Sequence, residues 1–313
     1  MPRTAPDKVT EVAIVGTGLI GSSWAALFLA TGLKVHAIDP MPDAEVRLHD
    51  TIRSMWGSLQ ELGRTSQPTP PLDALSFSPV PGAELASVQL VQESAPENLG
   101  LKQQLLAEIE AWVPAETIIA SSTSALLIGD IQAKALNPGR CLAAHPFNPP
   151  HILPLVEVSG GPKTDDDVLD WAMSFYEWLG KTPVRLSRQI EGHIAGRLGA
   201  AMWREAVSLV DQGVATVADI DAAVRNGPGP RWATTGCHMV YHLGGGDGGM
   251  AHYLAHLGAS QQRRWDDLGT PTLTEDLCKK LTEGVTQESG GRSIASLMEE
   301  RDRKLVQIMQ SRG

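Results

Sequence analysis

The stretch EVAIVGTGLIGSSWAALFLATGLKVHAIDP, Glu11 to Pro40, decides the fold of this chain. Val12 to Val15 are apolar and mostly β-branched, so they read as a short buried strand. Gly16, Gly18 and Gly21 follow in G-x-G-x-x-G spacing. Ser22 to Thr31 is helix-compatible and largely apolar, Gly32 closes that helix, and Lys34 to Ile38 read as a second strand ending at Asp39. This is one βαβ unit with an acid about twenty residues past the glycines, the context that makes the motif a dinucleotide fingerprint. Gly16 permits the tight turn, Gly18 lets the backbone approach a pyrophosphate, and Gly21 lets the helix pack close to the strand. The helix N–H groups and positive dipole end face the phosphates, and Leu19 and Ile20, between the glycines, are cofactor-binding candidates with them. Asp39 can accept hydrogen bonds from a ribose diol, and its charge disfavours a 2′-phosphate, so the expected cofactor is NAD rather than NADP. FAD, which uses the same first unit, is the alternative ligand. A glycine-rich turn in another α/β protein is the plainer alternative.

Bulk properties narrow the class. A chain of 313 residues has room for about two domains with full cores. A net charge of −10 argues against a nucleic-acid or anionic membrane partner. No apolar run is long enough for a membrane span, and the polar N-terminus lacks the apolar centre of a secretory signal. Cys141, Cys237 and Cys278 are far apart, as reduced thiols of a cytoplasmic enzyme would be. The sequence contains no C-x-x-C or H-E-x-x-H, so no metal is expected. His252 and His256 share one helix face without a third ligand, which favours surface or packing roles.

Beyond Asp39, apolar residues recur at helical spacing from Met41 to Leu62, and Gly63 to Pro71 is a polar, proline-rich loop. Strands are expected at Ser87–Gln92, Thr117–Ala120, Cys141–His145, Leu155–Val158 and Thr182–Leu186. Asn98 is placed to cap a helix with Leu101, Leu105, Ile109 and Trp112 on one side, and a helix beginning at Thr164 buries Val168, Trp171, Phe175 and Leu179. Alternating strands and helices predict an α/β fold, a Rossmann-type doubly wound, mostly parallel sheet. After Ser187 helical periodicity dominates, with Ile190, Ile194, Leu198 and Met202 on one stripe and Thr216 with Asp219 as a capping pair. GPGPRWATTG, from Gly227 to Gly236, reads as a loop. The expected division is residues 1–188, cofactor-binding, and 189–313, an all-helical second domain.

The candidate chemistry lies in AAHPFNPPHILPLVEV. His145 ends a predicted strand, where ligands bind in open α/β sheets, and Glu157 lies on the next. A carboxylate beside an imidazole fixes its tautomer and stabilises the imidazolium, so the pair suits a general base. A satisfied core histidine is the alternative. Asn148 offers a donor and an acceptor, or else an Asx turn before Pro149. Ser124, in SSTS, suits a substrate hydrogen bond; a serine in such a run can equally cap a helix. Glu97 and Lys102 either flank a nicotinamide carboxamide or form a solvated charge pair.

Taken together, GTGLIG, Asp39, ESAPENLGLK, ASSTSAL, AHPFNPP and LVEV, followed by a helical half, resemble the 3-hydroxyacyl-CoA dehydrogenase superfamily across nearly the whole chain. The stretch GPGPRWA…YHLGGGDGGMAHYLAHLG is similar to the branch acting on small free 3-hydroxy acids, that of L-carnitine dehydrogenases and, more distantly, lambda-crystallin-like L-gulonate 3-dehydrogenases. The resemblance implies His145 as base, Glu157 as its partner and Ser124 as donor to the substrate oxygen. It places Glu97, Lys102 and Asn148 round the nicotinamide, and implies a homodimer through the helical domain. One departure stands out: Gly196 occupies a position that is polar in many members.

The residues also bear on the substrate. The predicted flap, 41–71, balances Arg47, Arg53 and Arg64 against four acids, a poor clamp for the phosphates of CoA. A small free acid is therefore expected, with the CoA thioester as the alternative. A non-catalytic, crystallin-like NAD-binding protein is the alternative of another class. Arg231 is a candidate carboxylate fork or a surface ion pair. Trp232, with Trp203, Tyr241, Tyr253 and Trp265, can cage a quaternary ammonium or simply pack.

Overall fold

The computed structural model describes residues 3–312, which form two compact units. The first runs to Arg197 and takes back residues 300–311; the second is 198–299. The first unit contains β1 (Glu11–Val15), α1 (Leu19–Ala30), β2 (Lys34–Ile38), α2 (Ala44–Glu61), β3 (Leu75–Ser78), β4 (Leu90–Glu93), α3 (Leu99–Glu110), β5 (Ile118–Ser121), α4 (Ile128–Ile131), β6 (Cys141–Pro146), β7 (Leu155–Gly160), α5 (Asp166–Trp178) and β8 (Thr182–Arg185). The strands form one sheet in the order 3-2-1-4-5-6-7-8. Every neighbouring pair is parallel except β6–β7. The order 3-2-1-4-5-6 is that of doubly wound dinucleotide folds, with its switch point between β1 and β4.

Alternation along β1 explains the two-faced core. Val12 and Ile14 join Trp24, Phe28, Leu48 and Phe175 on one face, whereas Ala13 and Val15 join Leu106 and Ile109 on the other. Side chains on a strand point alternately to the two faces, so a sheet covered on both sides buries every position. β6 and β7 are joined by a short loop rather than a crossover helix, so they run antiparallel, and the register sets His145 opposite Glu157.

Several sequence expectations are corrected. α1 begins at Leu19, not Ser22, so Leu19 and Ile20 are helical from the turn onward. β3, which the sequence pattern does not signal, is a four-residue edge strand with only Leu75 and Phe77 apolar. On α3 the inward face carries Lys102, Leu106 and Ile109, while Trp112 is 47% exposed. The apolar stripe appeared one position off because a buried lysine reads as polar in sequence. The segment read as a flap is mostly α2, whose Leu48, Ile52, Trp56 and Leu59 are buried in the core.

The second unit is helical: α6 (Ala195–Asp211) enters it from the first, followed by α7 (Val217–Asn226), α8 (Pro228–Gly244), α9 (Gly249–Asp267) and α10 (Glu275–Ser289), and α11 (Ile294–Ser311) leaves it. The capping box of Thr216 and Asp219 is present. The expected loop after Gly227 is instead the start of α8. Pro228 stands in the first turn, where a missing N–H costs nothing, and the helical path breaks at Gly236 (φ 72°, ψ 172°). No helix among the described residues is long and apolar enough to cross a membrane.

Candidate active site

The glycine turn is built as an anion cradle. A Cβ on Gly16 (φ +90°) would lie 2.7 Å from the backbone of Ser94 and Ala95, and one on Gly21 would lie 1.9 Å from the Gly16 carbonyl oxygen. Gly18 differs: a Cβ there would meet nothing within 4 Å. It stands at the N-cap of α1, and no side chain caps the helix's leading amides. Asp39 is already engaged. Its Oδ2 accepts from the Thr17 N–H (2.8 Å) and hydroxyl (3.0 Å), and Oδ1 from the Met41 N–H (2.9 Å). One acceptor site on Oδ1 is left for a diol, and a second opens if the Thr17 hydroxyl turns away.

Across the sheet, His145 Nδ1 lies 3.0 Å from Glu157 Oε2. Glu157 is 1% exposed, and its other oxygen accepts from the backbone N–H groups of Ile194 (2.7 Å) and Ala195 (2.9 Å). Burial acts to raise the Glu157 carboxyl, but the hydrogen bonds from His145, Ala195 and Ile194 overcome it and hold the group below the ordinary carboxylate value. An ionised Glu157 accepts only, so Nδ1 carries the proton and Nε2 is left with a free lone pair.

A second carboxylate organises the loop after β5. Glu97 Oε1 accepts from the Thr123 hydroxyl (2.6 Å) and from the N–H groups of Ser124 (2.9 Å), Ala125 (2.8 Å) and Leu126 (3.1 Å). Burial again acts upward, and these bonds with the Lys102 charge keep the group low. Lys102 is 2% exposed; its ammonium lies 2.7 Å from Glu93, 2.9 Å from the Ala95 carbonyl and 3.5 Å from Glu97. It is thus a buried post under the loop, not half of a solvated pair. Ser124 is exposed and does not cap α4, whose N-cap is Leu127.

Ser124, Ser122, His145, Asn148, Phe147 and Ile20 line one cleft of about 420 Å³, with Gly192 and Gly196 in its wall. A Cβ on Gly196 would meet nothing within 4 Å, so this glycine leaves room in the cleft. The cleft lies at the carboxyl ends of β5 and β6, where doubly wound sheets bind ligands.

Residues 11–190 match the family model of the NAD-binding domain of 3-hydroxyacyl-CoA dehydrogenase, and residues 192–293 match that of its C-terminal domain. The chain belongs to the 3-hydroxyacyl-CoA dehydrogenase family. The L-carnitine dehydrogenase of Streptomyces griseus is 46% identical over 309 residues, 99% of this chain and 92% of its own. That of Pseudomonas aeruginosa is 42% identical over 304 residues, 96% of this chain and 94% of its own. Among solved structures, an NAD-dependent 5-formyl-3-hydroxy-2-methylpyridine 4-carboxylic acid 5-dehydrogenase superposes with a TM-score of 0.83 at 27% identity, covering 97% of this chain and 100% of that one. The Escherichia coli 3-hydroxybutyryl-CoA dehydrogenase gives 0.64 at 30% identity, covering 82% of this chain and 53% of that one.

In this dehydrogenase the structure brings Ile20, Ser124, His145 and Asn148 to one cleft, with Glu157 bonded to His145 and Glu97 to the Ser124 N–H. Lys102 lies deeper. Arg231 and Trp232 stand exposed on α8 in the second unit. Sequence reasoning missed Ser122, which Gln92 (2.8 Å) and Ser94 (2.9 Å) hold in place, Gln92 being fixed in turn by the buried Tyr176 hydroxyl. It also missed His193, which stacks on His145. Ser122 had a visible signal in the SSTS run; His193 had none beyond being a histidine after a glycine.

Proposed function

We propose that this protein oxidises the 3-hydroxyl of a small free 3-hydroxy acid of the L-carnitine kind to the 3-keto acid, with NAD as cofactor and His145 as base. The observation that carries the reading is the His145–Glu157 dyad at the cleft, in a chain whose L-carnitine dehydrogenase relatives align over nearly its whole length. The open space at Gly18, the uncapped α1 terminus and the acceptor left on Asp39 fit NAD: Gly16, Gly18, Leu19, Ile20 and Gly21 hold the pyrophosphate, and Asp39 the ribose. Glu97 and Asn148 lie towards the nicotinamide, and Lys102 fixes Glu97. Bound NAD supplies the acceptor for the hydride lost from the carbinol carbon.

The chain's own part is proton handling and orientation. His145 Nε2 takes the hydroxyl proton, and Glu157, unable to protonate easily, stabilises the imidazolium. The Ser124 hydroxyl, on a loop stapled by Glu97, donates to the substrate oxygen as it becomes a carbonyl. Arg231 and Trp232 are proposed for the carboxylate and body of the substrate on their chemistry alone: a guanidinium pairs with carboxylates and an indole face attracts cations.

We further infer a cytoplasmic homodimer formed through the helical unit. Its support is the apolar surface of that unit, where Leu198 (56%), Trp203 (56%), Leu243 (62%) and Leu254 (55%) are exposed. The test is NADH formation at alkaline pH with L-carnitine, L-gulonate, 3-hydroxypropionate, 3-hydroxybutyrate and 3-hydroxybutyryl-CoA. Turnover of a free acid without the CoA ester is expected. Turnover of the ester alone overturns the free-acid reading, and silence on all five with NAD bound favours the non-catalytic one.

A further inference from the structure

The turn that follows β8 has an unusual backbone. Gly192 (φ +76°) and His193 (φ +49°) are left-handed in succession, which a residue bearing a side chain adopts only when its surroundings hold it there. The next two N–H groups are those bound by Glu157. The His193 ring, 3% exposed, lies flat on His145, with centroids 4.7 Å apart and planes inclined by 11°. Its Nε2 is 3.0 Å from the Thr123 carbonyl. A carbonyl only accepts, so Nε2 carries the proton, and Nδ1 is a bare acceptor, buried and without a partner among the described residues. Thr123 belongs to the loop held by Glu97 and immediately precedes Ser124. One ring therefore touches both halves of the site.

We propose that His193 is a positioning residue, its ring face setting the plane of the His145 imidazole while its Nε2–H holds the Thr123 carbonyl, so that base and Ser124 loop stay in register. This rests on the reading of His145 as base. The groups facing His193 are His145 on β6, Glu157 on β7 and Glu97 before α3. Burial holds the His193 imidazole below its ordinary value. The Thr123 carbonyl and the two carboxylates act upward, and the His145 charge acts downward. A neutral ring face is a favourable neighbour for the imidazolium that His145 becomes on taking the proton; a second cation there is not.

Two variants separate the contacts. His193→Asn keeps a donor and tolerates left-handed backbone but loses the ring; His193→Phe keeps a ring face but loses the donor. Each is expected to lower kcat about tenfold or more, since small misplacements of catalytic groups cost that much, with KM for NAD changed by less than about threefold. The acid limb of the kcat–pH profile is expected to shift most in His193→Asn. In the native protein the His145 Hε1 resonance should show an upfield ring-current shift, kept in His193→Phe and lost in His193→Asn. Native kcat in both variants overturns the proposal, as does an unshifted Hε1 resonance in the native protein, a result independent of whether a variant folds. His145→Ala is the control: retained turnover there takes down the base reading and this proposal together. Abolished turnover with native-like His193 variants takes down this proposal alone.

Discussion

The nucleotide turn and the base site solve the same problem by opposite means. The turn is made from neighbours in sequence: Gly16, Thr17, Gly18, Gly21 and Asp39 lie within one βαβ unit, and Asp39 bonds straight back to Thr17. The base site is assembled from five separate pieces of chain: Glu93 to Lys102, Ser121 to Leu126, His145 to Asn148, Glu157, and Gly192 to Ala195. The first region spends glycines to let other atoms come close. The second uses carboxylates, Glu157 buried and Glu97 exposed: each gathers backbone N–H groups, Glu157 holding the His145 ring and Glu97 the Ser124 loop. A local motif can be rigid through sterics alone, whereas a site assembled across a sheet needs polar staples between strands that do not know of one another in sequence. The strut between the two regions is His151, on the β6–β7 loop, whose N–H and Nδ1 both meet the Ser23 hydroxyl of α1 at 2.8 Å.

The sharpest way to break the comparison is His145→Ala. Turnover should fall by about a hundredfold to ten-thousandfold, the usual worth of a general base, while NAD binding measured by calorimetry stays native; a parallel loss of NAD affinity would show that the two regions are not separable. Asp39→Ala probes the other region. NAD should weaken by about tenfold to a hundredfold, the worth of charge-assisted hydrogen bonds, and the NAD/NADP preference should shrink; an unchanged ratio removes Asp39 from the ribose.

The smallest effect concerns the strut. Burial, with the charges of Lys181 and Arg301, lowers the His151 imidazole from 6.5 to about 4. The unfolded chain thus binds a proton that the folded one refuses, and stability falls as pH drops from 6.5 towards 4. Between pH 7 and 5 this amounts to about 2 kcal/mol. His151→Asn should flatten that slope in chemical denaturation at the two pH values, and an unaltered slope would refute the assignment. The carboxylates titrate in a separate window. Glu97 and Glu157, both held below their reference value of 4.5, give full stabilisation above it and lose it only as pH falls through their lower folded values.

How much was legible follows from the same contrast. The Asn98 cap was readable because it acts three residues away, and the glycine spacing with Asp39 because all of it lies within one βαβ unit. His145 and Glu157 were readable as candidates because His145 ends one predicted strand and Glu157 lies on the next. That they face each other was not, since it depends on β6 and β7 pairing antiparallel in one register. Lys102 misled the helix stripe because its burial is decided by Glu93, on a different element. The α8 start was misread because two prolines and two glycines in a row resemble a loop unless the first proline occupies a helix's first turn.

The sequence by itself determined the βαβ start, the cofactor class and the identity of the groups able to move a proton, because short-range sterics and side-chain chemistry carry that information. Only the tertiary structure decided which of those groups meet. The stack of His193 on His145, the burial of Lys102 and the capture of the Ile194 and Ala195 amides by Glu157 are contacts between distant segments. They arise from sheet order and strand register, which no local pattern encodes, because register is a property of pairs of strands and not of either one.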